Sequence, residues 1–301
     1  MDSYIEMSGD NIDSKPVRIP DMATSLEGGH LMLSKEDVCD PNLYYPICPI
    51  DVSRRIYRGH CLLINQRDFS PATGQGRRDG TDVDADRVER LFKRLGYNVR
   101  RHLNVNRSDM RRILREVASL DHRQCDSFVC FILSHGENGV VFSTDGPVQM
   151  DEIISVFRGS ASPTLIGKPK LFFIQACRGS EFDKGATLPM TTDAAPDIIV
   201  TRLPVEADIL VAHSTVPGFF AWRNSLAGSW FIQELCRALE EDTARVQPSD
   251  IASLLTVVAR CVAYQYRSNT NQAGSHDMLQ MTNYTSTLTR LAYLTGKPNN
   301  R

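Results

Sequence analysis

Phe128-Val129-Cys130-Phe131-Ile132-Leu133 runs directly into Ser134-His135-Gly136, and Leu171-Phe172-Phe173-Ile174 runs into Gln175-Ala176-Cys177. Both apolar runs lack the alternation of polar and apolar residues that a half-exposed strand shows, so we expect them to be buried on both faces. Two further runs of this kind lie at residues 61–64 and 209–212. Together the four runs predict the central, mostly parallel sheet of an α/β fold.

Amphipathic segments between and after these runs predict helices that flank the sheet. Apolar residues recur at i, i+3, i+4 and i+7 within residues 82–95, and again in the segment that begins behind Ser108 as N-cap. Further helices are predicted over residues 229–240 and, behind Ser249 as N-cap, from 250 to about 264. A final apolar and β-branched stretch, residues 284–294, predicts one more strand.

The remainder of the chain divides into a leader, one catalytic domain and a long internal loop. Residues 1–54 lack sustained periodicity, so we expect a disordered leader ahead of a single domain over residues 55–296. Between residues 178 and 203 neither a helical nor a strand period persists. A loop of this length inside a compact domain is unusual and tends to be functional.

Composition excludes several classes of protein. The 301 residues are 42% hydrophobic and 23% charged, which is enough to build a packed core. A net charge of −2 gives no general attraction to nucleic acid or to an anionic membrane, and no apolar stretch of about 18 residues is present. The polar, acidic start of the chain resembles neither a signal nor a transit peptide, so we expect a cytoplasmic protein.

The eight cysteines are scattered along the chain, with no CxxC pair and no Cys/His spacing of the kind that recurs in zinc sites. Most are therefore expected to be small buried apolar residues. Nothing in the sequence indicates a metal or an organic cofactor.

A thiol and an imidazole follow two of the predicted strands. Because ligands bind beyond the carboxyl ends of parallel strands, we expect His135 and Cys177 to face one cleft. A thiol requires a base that takes its proton and a donor that protonates the leaving amine, and histidine serves both purposes. Gly136 lets its backbone N–H approach a ligand closely and, with the Cys177 amide, forms a candidate oxyanion hole.

The segment Gln175-Ala176-Cys177-Arg178-Gly179, with a histidine 42 residues upstream (177 − 135), resembles the signature of the caspase family. The resemblance extends over about residues 55–296. It includes Arg78-Asp79-Gly80-Thr81-Asp82-Val83-Asp84, Pro204-Val205-Glu206-Ala207-Asp208, Ala221-Trp222-Arg223-Asn224-Ser225 and Gly228-Ser229-Trp230-Phe231. It implies a caspase-like α/β sandwich whose central sheet is flanked by helices.

The resemblance also implies an aspartate-directed cysteine protease and assigns its site. Cys177 would be the nucleophile, His135 the acid/base and Gly136 an oxyanion donor. The implied substrate-binding residues are Arg78, Gln175 and Arg223 around the aspartate side chain, Phe220 and Trp222 at the next residue, and Arg223, Asn224 and Trp230 further out. Two arginines suit this task because each stays protonated and binds a carboxylate through two parallel hydrogen bonds.

The chain departs from the vertebrate executioner pattern in one loop. Between Arg267 and Leu279, where those enzymes carry several phenylalanines, this chain has Ser268-Asn269-Thr270-Asn271-Gln272-Ala273-Gly274-Ser275-His276. We therefore expect a polar or looser preference four residues before the cut.

By the same resemblance, the loop at 178–203 is a cleavable linker between a large subunit (55–193) and a small subunit (194–301). Cleavage is expected after Asp193, with Asp197 as the next candidate, and a second cut removing the leader after Asp13 or Asp21. The leader is too short for a death-effector or caspase-recruitment domain, which favours an executioner over an initiator. An executioner would act in apoptosis, be activated by an upstream initiator caspase and be a target for an inhibitor-of-apoptosis protein.

The resemblance further implies a homodimer of large and small subunit pairs, in which residues 284–294 would pair across a two-fold axis. Two rival interpretations are disfavoured. A metacaspase or paracaspase cuts after basic residues and would need an acidic pocket, which Arg78 and Arg223 contradict. A non-catalytic decoy usually lacks the cysteine or the histidine, and both are present.

Overall fold

The computed structural model describes residues 43–47, 57–179, 206–268 and 275–296. A six-stranded sheet with the order β11-β8-β7-β3-β1-β2 forms its centre, and every neighbouring pair is parallel except β11 and β8. The described strands are β1 (Gly59–Asn65), β2 (Tyr97–Leu103), β3 (Ser127–Leu133), β4 (Gly136–Glu137), β5 (Val140–Ser143), β6 (Gly146–Gln149), β7 (Lys170–Gln175), β8 (Ile209–His213), β9 (Arg223–Asn224), β10 (Gly228–Ser229) and β11 (Asn283–Ser286).

The four predicted central strands are confirmed as β1, β3, β7 and β8. β3 and β7 are buried along their whole length, as their continuous apolar runs indicate. β2 was not predicted because it lies at the edge of the sheet, where polar residues such as Arg100 are half-exposed. The small antiparallel sheet β4-β5-β6 was also missed, since its strands have only two to four residues each.

Helices cover both faces of the sheet. The described helices are α1 (Thr81–Arg94), α2 (Arg107–Ala118), α3 (Met150–Ser155), α4 (Trp230–Thr243) and α5 (Ile251–Gln265). One core cluster joins α1, α4 and α5 to the sheet, and a second joins α2 and α3 to its opposite face. This confirms the predicted α/β sandwich with a mostly parallel sheet.

Two predicted helix caps are wrong by one or two residues. Asn106, not Ser108, caps α2, because its side chain accepts a hydrogen bond from the backbone N–H of Asp109. Asp250, not Ser249, caps α5 by accepting from the N–H of Ala252 at 3.0 Å.

The expected disordered leader over residues 1–54 is wrong at residues 43–47, which pack on the catalytic domain. Tyr45 is 3% exposed, and its hydroxyl donates a hydrogen bond to Oδ1 of Asp208 at 2.6 Å. Its backbone N–H donates to the carbonyl oxygen of Leu291 at 3.0 Å, and Leu291 in turn donates to Leu43 at 2.8 Å. The buried Tyr45 ring and the hydrogen bond of its hydroxyl group explain why residues 43–47 pack on the domain, which composition alone did not reveal.

The predicted strand over residues 284–294 is too long. β11 ends at Ser286, and the chain then turns so that Leu291 bridges Tyr44 while Ala292 and Leu294 enter the core. Among the described helices, none combines the length and the apolar character that crossing a bilayer requires.

Candidate active site

β3 and β7 bring the predicted nucleophile and base to one edge of the sheet. These strands are parallel neighbours in which Leu133 pairs with Gln175, and the N–H of Ser134 donates to the carbonyl oxygen of Gln175 at 3.0 Å. His135 and Cys177 therefore leave the sheet side by side. The buried strands on either side of them hold the backbone at both positions, which is what a site built at strand ends requires.

The His135 ring is held by a backbone carbonyl. Its Nε2 lies 2.8 Å from the carbonyl oxygen of Gly76, and the ring packs on Phe69 with centroids 5.0 Å apart. A carbonyl oxygen only accepts, so Nε2 carries the proton and Nδ1 keeps its lone pair. Burial, together with the positive charges of Arg78 and Arg223, lowers the pKa of His135 to about 4, so the ring is neutral at pH 7.

Cys177 is half-buried, and its Sγ accepts a hydrogen bond of 3.5 Å from the N–H of Ala221. Burial raises the pKa of the Cys177 thiol, while this hydrogen bond, Arg78 and Arg223 oppose the rise. Free Cys177 is therefore a protonated thiol, and its reaction depends on a neutral base that can take the proton.

The turn that carries Cys177 is closely packed against two glycines. A Cβ at Gly136 would lie 2.8 Å from Cβ of Ala176 and 2.9 Å from the carbonyl oxygen of Cys177, which explains the absence of a side chain there. On the other side, Arg178 and Gly218 are joined because the N–H of Gly218 donates to the carbonyl oxygen of Arg178 at 2.8 Å. The backbone near the thiol is thus fixed from both directions.

Arg78 lies in the interior with part of its guanidinium unused. It is 1% exposed, and Nη1 donates to the carbonyl oxygen of Gln66 (2.9 Å) and to Oγ1 of Thr81 (2.7 Å). Its Nε and Nη2, like Oε1 of the buried Gln175, have no hydrogen-bond partner among the residues that the structure describes. Because these buried N–H donors carry a positive charge and have no partner, they form a candidate anion-binding site.

Arg223 completes this cationic cluster. Its Nε donates to the carbonyl oxygen of Asp79 at 2.8 Å, which anchors the guanidinium to the loop that carries Arg78. Burial lowers the pKa of both arginines, and repulsion from Arg223 lowers that of Arg78 further, although both remain cations at neutral pH. An incoming carboxylate would relieve this repulsion.

Asp84 is a further contributor that the sequence analysis did not identify. It is fully buried, accepts from the N–H of Ser229 at 2.9 Å and from Nε2 of Gln233 at 2.7 Å, and offsets the charges of Arg78 and Arg223. Asp84 lies inside the segment 78–84 quoted above. That segment contains three aspartates, and the sequence does not indicate which of them is buried.

Aromatic side chains line the cleft beside the arginines. Trp222 stacks on Trp230 with centroids 5.8 Å apart, Phe220 meets Trp222 edge-on at 5.1 Å, and Trp230 packs on Tyr266 at 5.2 Å. The N–H of Trp222 donates to Oε1 of the buried Gln280 at 2.7 Å. Tyr266 and Gln280 were missed because their contacts lie 36 and 58 positions away in the chain, and no local pattern marks them.

Asn224 lies at the exposed end of the cleft, where its Oδ1 accepts from the N–H groups of Leu226 (2.8 Å) and Ala227 (2.9 Å). Its side-chain oxygen therefore shapes the turn between β9 and β10, and a role for it in substrate binding stays a prediction. The predicted cleavage positions Asp13, Asp21 and Asp193, the linker beyond residue 179 and residues 269–274 lie outside the described residues.

A thiol and a neutral imidazole at adjacent strand ends, next to a buried cationic pocket, define a cysteine-type endopeptidase. The family model described as the caspase domain matches residues 58–293. This chain belongs to the caspase family.

Known relatives agree with this assignment. The chain is 38% identical over 296 residues to caspase-7 of Gallus gallus, covering 94% of this chain and 93% of the relative. It is 42% identical over 235 residues to caspase-3 of Bos taurus, covering 78% and 84%. The crystal structure of caspase-1 from Spodoptera frugiperda matches with a TM-score of 0.74 and 36% identity, covering 85% of this chain and 94% of that one. The chain is therefore an executioner-like, aspartate-directed cysteine endopeptidase.

Proposed function

We propose that Cys177, His135 and Gly136 carry out peptide hydrolysis in this chain. Nδ1 of His135 takes the thiol proton as Sγ of Cys177 attacks the carbonyl carbon of the scissile bond. The N–H groups of Gly136 and Cys177 bind the oxyanion that forms. The C–N bond then breaks as His135 returns its proton to the leaving amine, and water hydrolyses the thioester that remains.

Arg78, Gln175 and Arg223 bind the aspartate side chain before the cut bond. The observation that carries this proposal is the buried guanidinium of Arg78, whose Nε and Nη2 have no partner among the described residues. A substrate carboxylate satisfies these donors and neutralises the cluster. Asparagine leaves two guanidinium groups facing a neutral amide, which costs several kcal/mol, or about 10³-fold in kcat/KM.

Hydrolysis of a fluorogenic panel under reducing conditions tests both proposals. The panel contains Asp-Glu-Val-Asp, its Asn-terminated analogue and an Arg-terminated peptide, with Cys177→Ser as the inactive control. Cleavage after Asp alone, lost in the variant, supports the assignment. Cleavage of the Arg-terminated peptide at a comparable rate contradicts the proposed aspartate pocket. Undiminished activity of Cys177→Ser contradicts the assignment of Cys177 as the nucleophile.

Activation proceeds by cleavage after Asp193, which separates a large subunit (55–193) from a small subunit (194–301). A small residue, Ala194, follows the aspartate, as protease sites in accessible loops favour. Asp193→Ala tests this proposal: the variant is expected to resist cutting by an upstream protease between residues 178 and 203. Cutting at the wild-type rate contradicts it and leaves Asp197 as the next position. Mass spectrometry of the mature enzyme decides whether the leader is lost after Asp13 or Asp21.

The mature enzyme is a homodimer, as is typical of the family. In support, β11 is the edge strand next to β8, and Tyr284, Thr285 and Ser286 on it are exposed. Sedimentation equilibrium at micromolar concentration is expected to show two subunit pairs, and an inactive monomer there would favour initiator-like control.

The cellular role is the execution of apoptosis in the cytoplasm after activation by an upstream initiator caspase, with an inhibitor-of-apoptosis protein as a candidate partner. Relatives named caspase-3 and caspase-7 support this proposal. In cells that carry Asp193→Ala in place of the wild-type chain, death after an apoptotic stimulus should be delayed, and unchanged timing contradicts the role.

The outer subsite prefers a polar or variable residue because the loop over residues 268–276 lacks the phenylalanines of the vertebrate executioners. A positional peptide library is expected to show a broad preference four residues before the cut. A profile as sharp for aspartate as that of an executioner enzyme contradicts this.

A further inference from the structure

Two histidines and a cysteine meet at the edge of the sheet opposite the active site. His60 is the second residue of β1, while His122 and Cys125 lie in the loop that precedes β3. Their potential ligand atoms all lie within 4.8 Å of one another. The seven residues of β3 separate this edge from His135, a distance of about 23 Å at the usual rise of a strand.

Both imidazoles have an unused nitrogen at this place. Nδ1 of His60 and Nδ1 of His122 are buried and have no hydrogen-bond partner within the described part of the chain. His122 is 0% exposed, so water from the surface does not reach its ring freely. A buried polar atom without a partner is costly, and a single ion between these rings would satisfy both.

The tautomer of His122 leaves a ring nitrogen available for a metal ion. Nε2 of His122 lies 2.9 Å from the carbonyl oxygen of Val117, which only accepts, so Nε2 carries the hydrogen and Nδ1 presents a lone pair. A metal-ligating histidine usually has a second-shell partner of this kind.

The loop that carries Cys125 is fixed by its own hydrogen bonds. The N–H of Cys125 donates to the carbonyl oxygen of His122 at 2.9 Å, which closes a tight turn. Nζ of Lys168 donates to the carbonyl oxygens of Cys125 and Arg123. The turn therefore holds His122 and Cys125 on a defined backbone, so the two side chains start from fixed positions.

The surrounding charges are mixed. Arg100 and Lys168 oppose a cation beside the rings, and Asp121 favours one. Arg100 is itself paired with Glu116 at 3.5 Å, and Nζ of Lys168 is turned to backbone carbonyls. A deprotonated Cys125 would add a negative charge that favours a metal ion.

We propose that His60, His122 and Cys125 bind a zinc ion, with water as the fourth ligand. Two imidazoles and a thiolate form a donor set that zinc prefers over calcium or magnesium, which take oxygen ligands. Tetrahedral zinc needs about 3.3 Å between two nitrogens and about 3.6 Å between nitrogen and sulfur. Because the ligand atoms lie within 4.8 Å of one another, each pair has to close by at most about 1.5 Å on binding. The thiol proton is released to solvent, and affinity therefore falls as pH drops.

The test uses the full chain with Cys177→Ala, which removes the catalytic thiol as a competing zinc ligand. After exposure to zinc and dialysis, we expect one zinc per chain by mass spectrometry and a higher Tm than in the chelated protein. Cys125→Ser and His60→Phe in the same background are expected to lose both effects. Cys261→Ser, which removes another buried cysteine, is the matched control and should keep them.

Cobalt gives a readout that does not depend on stability. The Cys177→Ala protein with Co²⁺ is expected to show ligand-field bands of tetrahedral cobalt and a sulfur-to-cobalt charge-transfer band that Cys125→Ser lacks. Circular dichroism of each variant shows whether it is folded. The proposal is overturned if Cys125→Ser and its parent contain equal amounts of zinc, or if the folded parent protein retains no zinc. Neither result bears on the proposed protease activity.

Discussion

His135 donates a hydrogen bond from Nε2 to the carbonyl oxygen of Gly76 at 2.8 Å. This contact performs the task that a carboxylate has in a Ser-His-Asp triad, because it selects the tautomer and fixes the plane of the ring. It brings no negative charge, so it does not stabilise an imidazolium strongly. With burial lowering the pKa of His135 to about 4, the free site is a neutral thiol beside a neutral base.

We therefore expect the Nε2–H tautomer of His135 at pH 7. Nitrogen-15 NMR of labelled Cys177→Ala protein should show one protonated and one unprotonated ring nitrogen for His135, with the proton on Nε2. In otherwise wild-type enzyme, His135→Ala should lower kcat by about 10²–10⁴-fold, the usual contribution of a general base. A doubly protonated ring at pH 7 would mean that the resting state is an ion pair instead.

Arg78→Lys distinguishes the effect of charge from that of hydrogen-bond geometry in the proposed aspartate pocket. Lysine keeps one positive charge, but its three N–H donors cannot supply the bonds to Gln66 and Thr81 together with two parallel bonds to a substrate carboxylate. We expect kcat/KM for an Asp-terminated peptide to fall by about 10²-fold, corresponding to about 3 kcal/mol. The matched control is Arg77→Lys at the exposed neighbour, which should stay near wild type. Equal effects at both positions would contradict the assignment of Arg78 to the pocket.

Asp84→Asn tests the buried carboxylate that ties α1 to the start of α4. Oδ1 and Oδ2 of Asp84 both lie within 3.0 Å of the N–H of Ser229, so the asparagine amide would place a donor against a donor. We expect the free energy of unfolding to fall by about 1–3 kcal/mol in urea titrations. Asp86→Asn on the exposed face of α1 should change it by less than about 0.5 kcal/mol. A loss of the same size in both variants would contradict a special role for Asp84.

The fold was predictable where burial dominates the sequence and unpredictable where partners are distant. Strands such as β3 and β7 are apolar at nearly every position, so their existence follows from the sequence pattern, and their predicted ends lie within one residue of the observed ones. β2 mixes arginine and histidine with apolar residues because one side is half-exposed. The order of residues 43–47 depends on a hydrogen bond from Tyr45 to Asp208, 163 positions along the chain, which no local pattern encodes.

The site divides in the same way. The placement of His135 and Cys177 at one edge of the sheet was predictable because both follow strands whose direction is fixed by the parallel sheet. Gly76 was not, since its contribution is a backbone carbonyl that any residue type carries. Gln280, in a loop near the end of the described chain, accepts a hydrogen bond from the backbone N–H of Trp222. Nothing in the sequence around Gln280 indicates that contact.

Histidines make the stability of this protein depend on pH near neutrality. Burial lowers the pKa of His60, His135 and His213 to about 4, from an ordinary value of 6.5. Between these values the unfolded chain binds more protons than the folded one, so stability rises with pH and is lost as pH falls. Ordinary carboxylates are ionised in both states above pH 5, while Asp84, whose pKa is raised, works in the opposite direction.

Urea titrations at pH 7.5, 6.5 and 5.5 check this dependence. They are made at fixed protein concentration and with a chelator, because dimerisation and bound metal both shift apparent stability. The free energy of unfolding is expected to be nearly constant from pH 7.5 to 7 and to decline toward pH 5.5. His213 lies beside Arg178 in a cavity of about 150 Å³ away from the proposed zinc ligands, so His213→Gln should make the decline of stability with falling pH shallower. A flat profile over this range would mean that the three rings are protonated in the folded protein as readily as in the unfolded chain.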